Sequence, residues 1–184
     1  GVEDVLPRVL RCKPYFGDGG GVTVSGGEPL MQWEFTAELL RRLKKEGIHT
    51  ALDTSGTGNL KGAEEVLRET DLAICDLKFA TEEEYRKYCK GSLHQVLSFL
   101  DLTERMQVPL WVRHVVVPGL NDSPDSLGRI KEIAERYSNL QKFEFLPFKK
   151  LCAAKYEAMG IPFPLADYEE GAARLDTQNN TLIE

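Results

Sequence analysis

The sequence predicts an α/β fold in which about five parallel strands alternate with helices. Five short β-rich runs are each followed by a helical pattern or a turn, and this alternation is typical of parallel β/α units. The chain has 184 residues, whereas a complete eightfold β/α barrel usually needs about 250. It can therefore hold only part of such a barrel, or a smaller α/β sheet, as one domain over residues 1–184.

The predicted strands are the runs at residues 21–25, 49–54, 72–77, 110–117 and 143–148. Apolar residues at helical spacing predict a helix over residues 2–10, so the chain is expected to open on a helix with no strand before it. Between the first two strands, Phe35, Leu39 and Leu43 share one helical face, and Gly47 is a typical stop.

Two further helices are expected after the third and fourth strands. Residues 92–106 carry an apolar stripe that includes Val96 and Leu100. The second helix should begin after Asn121, because Ser123 is a good cap and Pro124 suits the first helical position.

Composition and charge exclude several classes of protein. The net charge is −6, from 23 basic and 29 acidic residues, and the basic residues form no stripe, so nucleic-acid binding is not expected. No run reaches the roughly 18 apolar residues of a membrane span. The acidic N-terminal segment does not resemble a secretory signal, so the expected compartment is the reducing cytoplasm.

The four cysteines show no spacing typical of a metal site. Cys12, Cys75, Cys89 and Cys152 lie too far apart for a zinc knuckle, a CxxC pair or an iron–sulfur run. They are most simply small core or surface thiols. The glycine-rich segment at residues 17–21 precedes a strand, whereas a dinucleotide fingerprint follows one, so no Rossmann site is predicted.

Polar residues follow the predicted strands where parallel β/α folds bind ligands. Gly26 and Gly27 allow close backbone approach, and the Glu28 carboxylate could pair with an ammonium group. Asp53 and Asp76 could hold a cation or ribose hydroxyls. The remaining polar residues of these strand ends are Thr54, Lys78, Arg113 and Lys149. The set suits a zwitterionic amino acid joined to a sugar.

Several motifs in order along the chain resemble one family, the glycyl-radical-enzyme activating enzymes of the radical S-adenosylmethionine superfamily. The motifs are GGGVTVSGGEPLMQ, LDTSG, CDLK, WVRHVVVPGLND and LPFKKLCAAKYEAMGIPF, and the resemblance runs from about residue 2 to 165. It implies a partial (β/α) TIM-type barrel, here an open arc of about five parallel strands with outer helices. One departure is Lys149, which stands where the activator of pyruvate formate-lyase has histidine.

The resemblance also implies two cofactors, S-adenosylmethionine and a [4Fe-4S] cluster held by a CxxxCxxC loop near the first strand. None of the four cysteines has that spacing. The chain is therefore expected to be a single truncated partial-barrel domain that keeps the cofactor-binding half of the site and lacks the electron-donating half.

Residue roles follow from the resemblance. Gly26, Gly27 and Glu28 would receive the amino group of S-adenosylmethionine, and Lys78 would face its carboxylate. A monovalent cation would be bound by Asp53, Thr54, Asp76 and the Ile74 carbonyl. The backbone from Val116 to Gly119 would border adenine, with Lys149 nearby, and Arg113 would point into the cavity that takes the partner's glycine loop.

The activity implied is hydrogen abstraction from one glycine of a large glycyl-radical enzyme. In that family, an electron from the reduced cluster splits S-adenosylmethionine, and the resulting 5′-deoxyadenosyl radical removes the hydrogen atom. Two alternatives stay open. One is a barrel aldolase or lyase in which Lys78 forms a Schiff base, and the other is a domain that binds a ligand or partner without turnover. The first predicted strand should be an exposed edge, through which homodimerisation is expected.

Overall fold

The computed structural model describes residues 1–17, 19–171, 175–176 and 181–182. Its main sheet has five parallel strands in sequential order. They are β1 (Gly21–Val24), β2 (His49–Thr54), β3 (Leu72–Asp76), β4 (Leu110–Val116) and β5 (Leu140–Pro147). The predicted class, an open parallel α/β sheet of the partial-barrel type, is confirmed.

Seven α-helices lie within the described residues. They are α1 (Val2–Leu10), α2 (Trp33–Lys45), α3 (Leu60–Leu67), α4 (Glu82–Glu84), α5 (Leu93–Arg105), α6 (Pro124–Ala134) and α7 (Ala153–Ala158). A π-helical turn, Tyr85–Cys89, continues α4. No helix among these described residues has the length and apolar character that crossing a membrane requires.

Local sequence signals account for several helix ends. The Ser123 hydroxyl accepts a hydrogen bond from the Ser126 amide at the start of α6, where Pro124 takes the first position. Gly47 has a φ of +70°, which suits the end of α2. The short α3 was not predicted, although Asn59 caps it by accepting from the Lys61 amide.

The two faces of the sheet differ in burial, because alternate residues of a strand point to opposite faces. One face packs against the helices and forms the core, to which strand residues such as Leu52, Cys75 and Val112 contribute. The opposite face carries Thr23 and Val115, which are exposed, and the half-buried residues Asp53, Ile74, Asp76, Trp111 and Arg113. We call this second surface the open face.

Strand β1 lies at the edge of the described five-stranded sheet, as the sequence predicts. Its backbone groups on the outer side are available for pairing with another strand. Homodimerisation through this edge stays a prediction.

The chain after β5 returns to the end of that strand. Phe148 and Gly171 form an antiparallel bridge, with amide-to-carbonyl distances of 3.1 and 2.9 Å. A cavity of about 440 Å³ within this segment is bordered by Lys150, Tyr156 and Phe163. A separate antiparallel pair joins β6 (Leu175–Asp176) and β7 (Thr181–Leu182), and neither strand was predicted.

Two helix glycines should respond in opposite ways to alanine. A methyl group added at Gly62 in α3 would overlap the Trp33 ring, whereas one added at Gly128 in α6 meets no atom within 4 Å. We expect Gly62→Ala to lower the free energy of unfolding by about 1–3 kcal/mol through overpacking. We expect Gly128→Ala to raise it by about 0.5–1 kcal/mol. Urea denaturation checks both, and equal effects of the two substitutions would contradict the α3–Trp33 packing.

Candidate functional site

Three charged side chains from neighbouring strands meet on the open face. The Arg113 Nη2 atom lies 2.6 Å from Asp53 Oδ1 and 2.8 Å from Asp76 Oδ1. The Arg113 Nε atom also donates to Asp76 Oδ1 at 3.0 Å. One guanidinium group therefore joins the ends of β2, β3 and β4.

Strand register explains this convergence. Asp76 is paired directly with Arg113, and Asp53 is paired with Ile74. Because Ile74 and Asp76 are two residues apart, Asp53, Asp76 and Arg113 point to the same face. The sequence predicts that the two carboxylates lie close together, and both are within 3 Å of the same nitrogen.

Arg113 compensates the two carboxylates, at the position where the sequence suggested a bound cation. The side chains of Asp53 and Asp76 are 25% and 29% exposed, and Arg113 reaches both across the strands. Lys78 is exposed at the end of β3. Arg113 is thus held against the sheet by its two ion pairs, and its role toward a partner's glycine loop stays a prediction.

Burial and charge perturb these groups in a consistent way. Burial raises the pKa of Asp53, and the nearby carboxylates of Asp76 and Glu28 add to this rise, although Arg113 opposes it. Burial acts to lower the pKa of Arg113, but the carboxylates of Asp76 and Asp53 outweigh it and raise the pKa. The cluster therefore needs its guanidinium to keep two carboxylates ionised side by side.

The turn after β1 is joined to the end of β2 through Glu28. Its Oε1 accepts from the Thr54 hydroxyl at 2.5 Å and from the Leu30 amide at 3.1 Å. Its Oε2 accepts from the Ser55 hydroxyl at 2.5 Å and from the Ser55 amide at 2.8 Å. The preceding Gly26 and Gly27 are exposed, and Gly26 has a φ of +122°.

Two residues that sequence reasoning missed fix the end of β3. The Lys78 amide donates to the Tyr85 hydroxyl at 2.9 Å, and the Leu77 carbonyl accepts from His114 Nδ1 at 2.7 Å. Tyr85 belongs to the π-helical turn, and such turns are frequent at functional sites. Periodicity alone places both residues in the core and gives no signal of this role.

The segment predicted to border adenine is a turn shaped by Asn121. Asn121 Oδ1 accepts from the Val117 amide at 2.7 Å, and Nδ2 donates to the Val115 carbonyl at 3.0 Å. Val116 is buried, and Gly119 has a φ of +76°. Lys149 is exposed just after β5.

The residues that the structure describes do not fit an iron–sulfur cluster. They contain no group of three or more His, Cys, Asp or Glu side chains arranged to hold a metal ion. Cys75 is buried in the core, and burial raises the pKa of its thiol, whereas a ligand must be a thiolate. Cys12 is exposed, and Cys89 and Cys152 are half-buried.

The predicted cation ligands also have protein partners. Besides the Arg113 pairs of Asp53 and Asp76, the Thr54 hydroxyl donates to Glu28 and accepts from the Gly56 amide at 3.0 Å. Binding of a cation by Asp53, Thr54, Ile74 and Asp76 stays a prediction. A cation bound to Oδ1 of Asp53 or Asp76 would compete with Arg113.

Comparison with known proteins defines the class. Residues 2–130 match the family described as the Radical SAM superfamily, and the chain belongs to it. A structure of SuiB from Streptococcus suis bound to S-adenosylmethionine has a TM-score of 0.61 at 16% identity, and the match covers 75% of this chain and 31% of that one. The likeness to SuiB shows the fold.

More similar relatives specify the type within this class. The pyruvate formate-lyase-activating enzyme of Clostridium pasteurianum is 40% identical over 168 residues, which cover 91% of this chain and 70% of that protein. The same enzyme of Staphylococcus aureus strain USA300 is 39% identical over 175 residues, with the same coverage. A domain of such an enzyme from Bacteroides vulgatus has a TM-score of 0.65 at 24% identity, and the match covers 78% of this chain and 96% of that one. This chain is an oxidoreductase-type activating enzyme of the pyruvate formate-lyase-activating type.

Removal of the shared guanidinium should destabilise the protein in a pH-dependent way. We expect Arg113→Gln to lower the free energy of unfolding by about 1–3 kcal/mol at pH 7, because two close carboxylates lose their counter-charge. Without the guanidinium, the pKa values of the two carboxylates should rise in the folded variant. The decrease in the free energy of unfolding should therefore grow as pH rises and shrink below about pH 4. Urea titrations at several pH values measure it. The exposed pair Arg129–Asp125 supplies the control variant Arg129→Gln, which should change little. A pH-independent loss would contradict carboxylate repulsion.

His114 should make stability depend on pH in the opposite direction. Its side chain is 1% exposed, and burial lowers its pKa, against smaller raising effects of the Leu77 carbonyl and the Asp76 and Glu84 carboxylates. The unfolded chain therefore binds a proton that the folded chain does not, so stability should fall as pH drops below about 6.5. Melting temperatures between pH 8 and pH 5 measure this decline. It should be smaller in His114→Gln than in the exposed-site control His94→Gln, and equal declines would show that His114 does not cause it.

Proposed function

We propose that this chain supplies the S-adenosylmethionine-binding sheet of an enzyme that removes a hydrogen atom from a glycine of a glycyl-radical enzyme. The main support is the gathering of polar groups at the carboxyl ends of four adjacent parallel strands, in a chain of the pyruvate formate-lyase-activating type. Ligands of parallel β/α folds bind at this end of the sheet.

The same strand ends offer complementary groups for each part of S-adenosylmethionine. The backbone of Gly26 and Gly27 suits the amino group, since nothing lies within 4 Å of the position of a Cβ atom at either residue. The exposed Lys78 ammonium suits the carboxylate, and Asp53 and Asp76 suit the ribose hydroxyls.

The remaining contacts of the ligand fall on the far strands. The backbone of the Asn121-shaped turn, from Val116 to Gly119, would border adenine, with Lys149 at the rim. When bound, S-adenosylmethionine supplies the group that takes the hydrogen atom. The protein's share is to bind and orient it and to exclude water.

The open face is the surface proposed for the partner's glycine loop. Arg113 is the proposed catalytic contact, because it is one-quarter exposed on this face and carries the positive charge between Asp53 and Asp76. A monovalent cation at these carboxylates belongs to the same proposal, and it would compete with Arg113 for them.

The electron source is proposed to lie outside the described side chains, since these do not form a cluster site. The chain alone would then bind S-adenosylmethionine weakly and catalyse no turnover. The cytoplasm is the proposed compartment.

The two alternatives that the sequence left open receive less support. A Schiff-base lysine is usually activated by an apolar pocket or a neighbouring cation, and the exposure of Lys78 does not favour an aldolase or lyase. Borohydride reduction would trap a lysine adduct if that chemistry occurred. Binding without turnover stays a proposal for the chain alone, as stated above for an electron source outside the described side chains.

Reconstitution tests the electron-donating half of the proposal. We expect anaerobic treatment of the chain with iron and sulfide to leave no stable iron–sulfur absorbance after desalting, because no suitable thiol group is assembled. A stable cluster of four irons, measured by absorbance and iron content, would contradict this. Substitution of each cysteine by alanine would then identify its ligands.

Ligand binding tests the cofactor-binding half. Lys78→Met should weaken the binding of S-adenosylmethionine about tenfold in calorimetry, because the ligand's carboxylate loses a charge-assisted partner. Lys61→Met, at an exposed position of α3, is the control and should bind like the unmodified chain. Equal affinities of the two variants for S-adenosylmethionine would show that Lys78 does not belong to the binding site.

A further inference from the structure

The Glu28 side chain has a protein donor for each of its acceptor positions. Thr54 Oγ1 and the Leu30 amide donate to Oε1, and the hydroxyl and amide of Ser55 donate to Oε2. An ionised carboxylate accepts at about four lone-pair positions. An ammonium group that approached this carboxylate would therefore have to displace one of these donors.

The two hydroxyl contacts are strong ones. Both oxygen–oxygen distances are 2.5 Å, at the short end for a hydroxyl that donates to a carboxylate. The Ser55 hydroxyl also contacts the Thr57 hydroxyl at 2.7 Å, and the Thr54 hydroxyl accepts from the Gly56 amide. Displacement of either hydroxyl from Glu28 would thus disturb the whole turn after β2.

These bonds connect two loops that have no other side-chain hydrogen bond between them among the described residues. Glu28 caps the 3₁₀ turn Pro29–Gln32, whereas Thr54 ends the adjacent strand β2 and Ser55 follows it. Gly26 and Gly27 lie between β1 and Glu28; both are exposed, and nothing lies within 4 Å of the position of a Cβ atom at either residue. Their position is therefore set by β1 on one side and by Glu28 on the other.

We propose that Glu28 is a positioning residue, which fixes the Gly26–Gly27 backbone against the end of β2, and that it is not the group that pairs with the ligand's ammonium. The ligand part of this proposal rests on the proposed function. We call the positioning of the Gly26–Gly27 backbone by Glu28 the clamp, and it concerns only contacts within the chain.

Amide hydrogen exchange of the ligand-free chain tests the clamp. Glu28→Gln keeps the size of the side chain but removes acceptor capacity, so exchange at the amides of Leu30 and Ser55 should accelerate about tenfold. Glu34→Gln, at an exposed position of α2 with the same change of charge, is the control and should leave these rates unchanged. Unchanged rates in Glu28→Gln would overturn the proposal.

Calorimetry with S-adenosylmethionine separates the two roles of Glu28. If Glu28 is a clamp, Ser55→Ala and Glu28→Gln should each weaken the binding of S-adenosylmethionine. The double variant should bind no more weakly than Glu28→Gln alone, because both substitutions disrupt the same hydrogen-bonded contact. If Glu28 instead pairs with the ammonium, Ser55→Ala should bind equally or more tightly while Glu28→Gln binds weakly. Absence of binding by the unmodified chain would contradict the proposed function, and the exchange rates would still decide the clamp.

Discussion

The Arg113 guanidinium, held between Asp53 and Asp76, is the interaction on which the geometry of the site depends. Adjacent parallel strands are about 4.8 Å apart, so acidic residues that share a face at their ends repel one another unless a positive charge lies between them. Arg113 meets this need from the next strand and so ties three strand ends together. Any ligand or cation that binds the Oδ1 atoms of the two carboxylates competes with it.

Around this cluster, side-chain hydrogen bonds fix the ends of β1 to β4. Glu28 joins the ends of β1 and β2, Tyr85 and His114 hold the end of β3, and Asn121 shapes the turn after β4. The backbone that carries the charged groups of the open face is thus fixed by side-chain hydrogen bonds. Such support is what a site for a small, multiply charged ligand requires.

The sequence was sufficient for the strands, and it singled out Asp53, Asp76 and Arg113, which the structure brings together. Runs such as GVTVS and HTALDT, together with the Gly47 stop and the Ser123–Pro124 start, are local signals, and local signals predict local structure. The rule that ligand groups follow parallel strands identified Asp53 and Asp76. The counter-ion of the two carboxylates could not be predicted in the same way. Lys78 lies two residues after Asp76, and this local spacing gives no reason to prefer Arg113, which lies on another strand. The saturation of Glu28 depends on Ser55, a residue 27 positions away, and no local pattern reports that contact.

The most direct test of the central claim is a titration of the isotope-labelled chain with S-adenosylmethionine, followed by backbone amide chemical shifts. If the strand ends form the ligand site, the largest changes should occur at residues 26–28, 53–55, 76–78, 116, 117 and 119, with smaller changes at Arg113. Saturating ligand that leaves these amides unchanged, or that shifts only residues on the helix-covered side, would contradict the account.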